Sequence, residues 1–141
     1  MMSNRVRALI VAPLLAAGVA GGVGEAAAAD PPFKACYDLP CFGNDKTEFG
    51  IVWYNRTAGL SGSVFNSGAP DITQAVFQAF AGGTLVDSEA RTDTNADSVP
   101  RGFGFTIGDP NLVGGIDRIR VTVCVYAPAK TCGPQFNFLR P

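Results

Sequence analysis

The nine residues RIRVTVCVY, Arg118 to Tyr126, alternate without a break. Ile119, Val121, Val123 and Val125 fall on one side, and Arg118, Arg120, Thr122, Cys124 and Tyr126 on the other. A period of two with β-branched residues on one side is the pattern of a half-buried strand. Such a strand needs a second layer over its apolar side, so it constrains the whole chain.

The rest of the chain repeats the pattern. EFGIVWYNR sets Phe49, Ile51 and Trp53 against Glu48, Gly50, Val52 and Tyr54, and Trp53 is read as core. AGLSGSVFNSG alternates through Leu60, Gly62 and Val64 into the turn signal Asn66-Ser67-Gly68. TLVDSEAR sets Val86, Ser88 and Ala90 against Asp87, Glu89 and Arg91, read as a solvated, charge-balanced face. RGFGFTIG sets Phe103, Phe105 and Ile107 against Gly102, Gly104 and Thr106; its glycines are read first as sites of close packing, with a shallow, flat strip that an aromatic ring or another backbone could approach as the alternative. QFNFL is a short final strand.

One segment is ambiguous. In residues 71–81, Ile72, Ala75, Val76, Ala79 and Phe80 fit a helix face, with Asp71 and Gln74 spaced like a capping box. As a strand, Ala75, Phe77 and Ala79 face one way and Gln74, Val76, Gln78 and Phe80 the other. The β context and the Gly82-Gly83 turn into TLVDSEAR favour the strand. The expectation is an all-β chain: one antiparallel β-sandwich of about seven strands, immunoglobulin-like, with no helix.

The N-terminus is of another kind. Arg5 and Arg7 precede an uncharged apolar run from Ala8 to Val23, and small residues at Ala27 to Ala29 precede Asp30. This reads as a secretory signal peptide over 1–29, ahead of a single domain over 30–141. A retained membrane anchor is the alternative, weakened by the Gly and Ala content of the run. Cleavage leaves nine Lys and Arg against eleven Asp and Glu, a net charge of −2 with no block of either sign. That argues against nucleic-acid binding and against a polybasic membrane patch.

Histidine is absent. Ser-His-Asp and Cys-His triads and most catalytic zinc sites are thereby excluded, and a non-enzymatic role without cofactors is expected. Four cysteines in an exported chain point to disulfides. Local pairs, Cys36 with Cys41 and Cys124 with Cys132, are favoured by proximity, each closing a loop that contains a proline. Bridges of this span stabilise by roughly 2 to 2.5 kcal/mol each, as staples on loops.

Two resemblances add to this reading. The order Cys41, Trp53, Cys124 resembles an immunoglobulin domain, although Thr122 stands where that pattern has Tyr. That resemblance implies a Cys41–Cys124 bridge. LSGSVFNSGAPDITQAVFQAFAGGTLVDSE, residues 60–89, is similar to FxLYD-type bacterial sandwich domains, which pair a G-x-V-x-N strand with a glycine-turned hairpin. The Leu-Tyr-Asp signature is missing. The resemblance implies an accessory module and carries over no catalytic residue.

Candidate sites are few. Asp93, Asn95 and Asp97 occupy the first three ligand positions of an EF-hand loop. Ser98 then stands where the turn needs Gly, and Gly104 where a bidentate Glu is required. A solvated Asx turn is the simpler reading, with a looser calcium site the alternative. Arg118, Arg120 and Tyr126, with Tyr37 in the first cysteine loop and Phe42 beside it, make the best binding patch, since Tyr and Arg anchor interfaces. Charges that only keep an exposed strand from pairing are the plainer explanation. The expected partner is an extracellular protein or a cell-envelope component. The second expectation is inhibition of an extracellular protease or amylase by CYDLPC or CVYAPAKTC, since stapled loops lose little entropy on binding.

Overall fold

A computed structural model describes residues 33–41, 45–68, 72–95, 99–126 and 128–141. The leader expected over 1–29 lies outside the described residues, none of which belongs to a helix long and apolar enough to cross a membrane.

Eight strands are present: β1 (Phe33–Cys36), β2 (Lys46–Trp53), β3 (Thr57–Phe65), β4 (Ile72–Ala81), β5 (Thr84–Asp93), β6 (Arg101–Gly108), β7 (Arg118–Tyr126) and β8 (Lys130–Leu139). They form two antiparallel sheets, ordered β1-β2-β3-β6 and β5-β4-β7-β8. The strand beyond the expected seven is β1. It is only four residues long, so it shows little periodicity of its own, and β2 supplies its pairing.

The ambiguous segment is β4, in the interior of the second sheet. Its backbone pairs with β5 on one side and β7 on the other, which fixes it as extended chain against its local helical pattern. Thr73, Ala75, Phe77 and Ala79 are fully buried and lie opposite Val125, Val123, Val121 and Ile119. Gly82, at φ +62°, makes the tight turn into β5.

A row of phenylalanines crosses the core. Phe33 meets Phe138 at 5.0 Å, Phe138 meets Phe49 at 5.3 Å, and Phe49 meets Phe77 edge-on at 5.6 Å. Phe77 then meets Phe103 and Phe105, each at 5.2 Å. The row therefore joins the side closed by β1 and β8 to the side closed by β5 and β6.

The β5–β6 side corrects an expectation. Asp87, Glu89 and Arg91 lie opposite buried Ala79, Phe77 and Ala75, so they point toward the other sheet, while Ser88, Ala90 and Thr92 face solvent. The three charged residues are half-buried. Asp87 accepts a hydrogen bond from the Gly108 N–H at 3.0 Å, and Arg91 stacks over Phe105 at 4.3 Å while pairing with Glu89. They close an open flank, where long polar side chains cover ring edges and keep their heads wet. Val86, the extra residue at a bulge, packs on the core instead of with Ser88.

Both disulfides are local, Cys36–Cys41 and Cys124–Cys132. The immunoglobulin-type Cys41–Cys124 bridge is therefore not formed. Cys124 and Cys132 are direct partners in the β7–β8 ladder, so that bridge is a rung of a hairpin and not a staple on a free loop. The last strand begins at Lys130, well before QFNFL, because pairing with Tyr126 and the disulfide rung extend it toward the turn. A bulge where β8 passes Val123 takes up Gly133 and Pro134, and an edge strand tolerates proline there.

Candidate functional site

The expected patch is divided by the fold. Arg118, Arg120 and Tyr126 share the solvent face of the second sheet. Tyr126 lies eight positions after Arg118, about 26 Å along an extended strand, so they mark the ends of a strip. Tyr37 belongs elsewhere. It packs against the core, and its hydroxyl donates to Thr131 Oγ1 at 3.2 Å. A Cβ at Gly133 would strike the Tyr37 backbone, so the first cysteine loop is seated on β8. Phe42 lies outside the described residues.

The strip is ordered by its own side chains. Arg118 and Arg120 stack on the Phe80 ring at 4.2 and 4.6 Å. Phe80 is consequently only 6% exposed, although it stands on the outer side of β4. Arg120 donates from Nε and Nη2 to Gln78 Oε1 at 3.1 and 3.0 Å, and from Nη1 to Gln135 at 3.4 Å. Arg118 donates to Asn137 Oδ1 at 3.0 Å. Farther along, the Tyr126 hydroxyl donates to Gln74, and Lys130 lies 5.7 Å from the Tyr126 ring centre. Among the described residues, the outward positions of this sheet's ladder hold Arg118, Arg120 and Lys130 but no carboxylate. Two sequence features produce this face: the arginines of β7, and a β5 that turns its acids inward.

The residues suggested for calcium are otherwise engaged. Asp93 is fully buried; its Oδ1 accepts the Asn95 N–H at 3.0 Å and faces Arg101 Nε at 3.5 Å. Asn95 thus contributes its backbone to an Asx turn. Asp97 lies outside the described residues.

A second locus was not singled out as a site by sequence. Tyr54, Asn55 and Arg56 form the turn between β2 and β3. Two shallow hollows flank Tyr54, whose side chain is 50% exposed. One, about 270 Å³, is lined by Val52, Tyr54, Gly59, Ser61 and Thr106 among others. The other, about 340 Å³, is lined by Tyr54, Asn55, Arg56, Thr57 and Pro110.

The turn is tied down at several points. The Tyr54 N–H donates to Thr57 O at 2.9 Å, and the Tyr54 carbonyl accepts from Arg140 Nη1 at 2.7 Å. Arg140 also stacks on Trp53 at 4.7 Å and donates to Ile116 O at 2.8 Å. Trp53 is accordingly half-buried under Arg140 at the end of β2, not in the core proper. The Arg56 carbonyl accepts from the Ile116 N–H at 3.2 Å. Gly115, at φ +67°, lies so close that a Cβ there would fall 2.6 Å from Arg56 Cα. Sequence could not show this turn as a site, because the partners of Tyr54 and Arg56 come from residues 110–116 and 140.

The glycines of β6 follow the alternative reading, not close packing. No atom of the described residues lies within 4 Å of a Cβ built at Gly104, and only Gly62 O does so at Gly102, at 3.8 Å. They leave the outer side of the first sheet low and open beside Ser61 and Thr106.

Compared with protein-family models, curated proteins and solved structures, the chain matches none.

Proposed function

We propose that this protein is a secreted, non-enzymatic binding module that attaches to an anionic component of the cell envelope through the outer face of β5-β4-β7-β8. One observation carries the reading. A chain with more carboxylates than cations presents, over the described positions of that face, arginine, lysine and amide side chains and no acid. Arg118 and Arg120 are held in place by Phe80 and by three amide side chains, so little rotamer entropy remains to be lost on binding. The guanidinium fork suits carboxylate and phosphate oxygens. An immunoglobulin-like accessory domain, exported and stapled by two disulfides, is the architecture proposed to carry this face.

The test is retention of the purified protein on isolated cell walls. The Arg118→Gln, Arg120→Gln double variant is expected to bind about tenfold more weakly, the loss of charge-assisted contacts worth roughly 1.5 kcal/mol. Raising the salt is expected to release the wild-type protein as well. Unchanged retention of a folded double variant would sink the reading.

A second reading rests on Leu39, which is 65% exposed within the Cys36–Cys41 loop. An apolar side chain presented by a disulfide-closed loop suits insertion into the cleft of an extracellular protease or amylase. Nanomolar inhibition of such an enzyme, lost on Leu39→Asp, would favour it over envelope attachment.

A further inference from the structure

We infer that the β2–β3 turn, in the first sheet and not the second, is a further binding site, and that it takes an acidic saccharide. One pyranose ring stacks on Tyr54, and its carboxylate is directed to Arg56. The inference does not depend on the second-sheet face.

The argument begins with rigidity. A hairpin turn at a sandwich end is ordinarily a mobile element. Here its carbonyls at Tyr54 and Arg56 are held by Arg140 and Ile116, and its backbone is packed against Gly115. An aromatic ring on a fixed backbone has few states to lose on binding. The Tyr54 ring also rests on Gly59. A Cβ there would lie 2.9 Å from Tyr54 Oη and 3.1 Å from a ring carbon, so the absent side chain is what lets the ring lie down on the sheet. Half of the residue's surface remains open to solvent.

The hollows define the ligand. Tyr54 is common to both, so a ligand lying on the ring reaches each of them. The hollow toward β3 and β6 offers the hydroxyls of Ser61 and Thr106 over a backbone floor and carries no charged residue. The hollow toward Pro110 contains Arg56, whose Nη1 donates to the Pro110 carbonyl at 3.3 Å. No carboxylate of the described residues pairs with Arg56 within 4.0 Å. Each hollow is close to the lower bound of about 300 Å³ for small-ligand sites, which suits a single sugar ring and not a larger apolar body. A flat ring face, hydroxyl partners on one side and a guanidinium on the other match a sugar that carries one carboxylate. Charge complementarity at Arg56 selects the acidic saccharide over a neutral one.

The probe is tetragalacturonate, with its methyl ester as the uncharged control of equal shape, added to the purified protein. Binding is read by titration and by backbone amide NMR shifts. Shifts are expected to centre on Tyr54 to Thr57, Gly59, Ser61 and Thr106. Tyr54→Ala is expected to weaken binding at least ~10-fold and Tyr54→Phe by less than about 3-fold, since the ring face is kept. Arg56→Gln and the methyl ester are each expected to weaken binding ~10-fold. Melting temperature checks that the variants remain folded, and the shifts at Tyr54 to Thr57 are expected to persist in the Arg118→Gln, Arg120→Gln variant, whatever that variant loses at the second-sheet face. The inference is overturned by absence of binding at millimolar tetragalacturonate, by equal affinity for the methyl ester, by shifts at Tyr54 to Thr57 that are indifferent to Tyr54→Ala, or by shifts that map to Arg118 and Arg120 alone. The last of these would support the second-sheet face while removing this site.

Discussion

Phe77→Ala is expected to lower the unfolding free energy by about 4 kcal/mol, within the range for deleting a buried aromatic ring. Phe77 is fully buried in β4, an interior strand of the second sheet, and its ring meets Phe49, Phe103 and Phe105 of the first. Truncation removes the middle of the phenylalanine row. The three rings around it belong to strands paired elsewhere, so they cannot close the gap. In a domain of this size the loss corresponds to a drop of roughly 20 °C in melting temperature. Urea unfolding checks it: the midpoint should fall with little change in slope. Phe80→Ala is the instructive comparison. Phe80 is nearly as hidden, but its cover is two guanidinium groups that water can replace. Its expected cost is about 1.5 kcal/mol. Equal losses for the two variants would contradict the division between core and outer face.

Gly62→Ala is expected to destabilise by about 3 kcal/mol or more, at the upper end of what overpacking does. Gly62 lies opposite Phe49 in the β2–β3 ladder. A Cβ there would fall on the Glu48 carbonyl oxygen and 2.6 Å from Phe49 Cα. Those are backbone atoms of a strand held on both sides, so no rotamer change relieves the clash. Gly104→Ala adds the same methyl group to the neighbouring β6, where nothing described lies within 4 Å. It should change stability by less than about 0.5 kcal/mol, as open surface positions do. Thermal melts of the two variants side by side decide the matter. A neutral Gly62→Ala would mean that β2 and β3 lie farther apart at this point than they do here.

These pairs mark where the sequence was legible. Strand faces follow from side-chain alternation, which is local: the inward rows Phe49-Ile51, Leu60-Val64, Phe103-Ile107 and Ile119-Val125 stand where the period of two puts them. Disulfide partners followed from short separation. β5 failed because alternation divides a strand into two faces without saying which is inner. Its charged side was assigned to solvent by polarity, yet it closes the flank beside β6, where Arg91 covers Phe105. The choice between close packing and an open strip at the β6 glycines went the wrong way for a related reason, since a missing side chain does not reveal whether a neighbour fills the space. Arg118 and Arg120 were visible as a pair, but their stacking on Phe80 was not, because that ring lies 38 residues away from Arg118 in the chain.

By itself, the sequence determined the secondary-structure class, the inward rows of most strands, the local disulfides and the absence of histidine chemistry, because these depend on composition and on neighbours a few residues apart. The tertiary structure alone decided which strands share a sheet, which way β5 turns its acids, and what fixes the turn at Tyr54. Each of these depends on a partner distant in sequence. Arg140 reaches Tyr54 across 86 positions, and no local period encodes that contact.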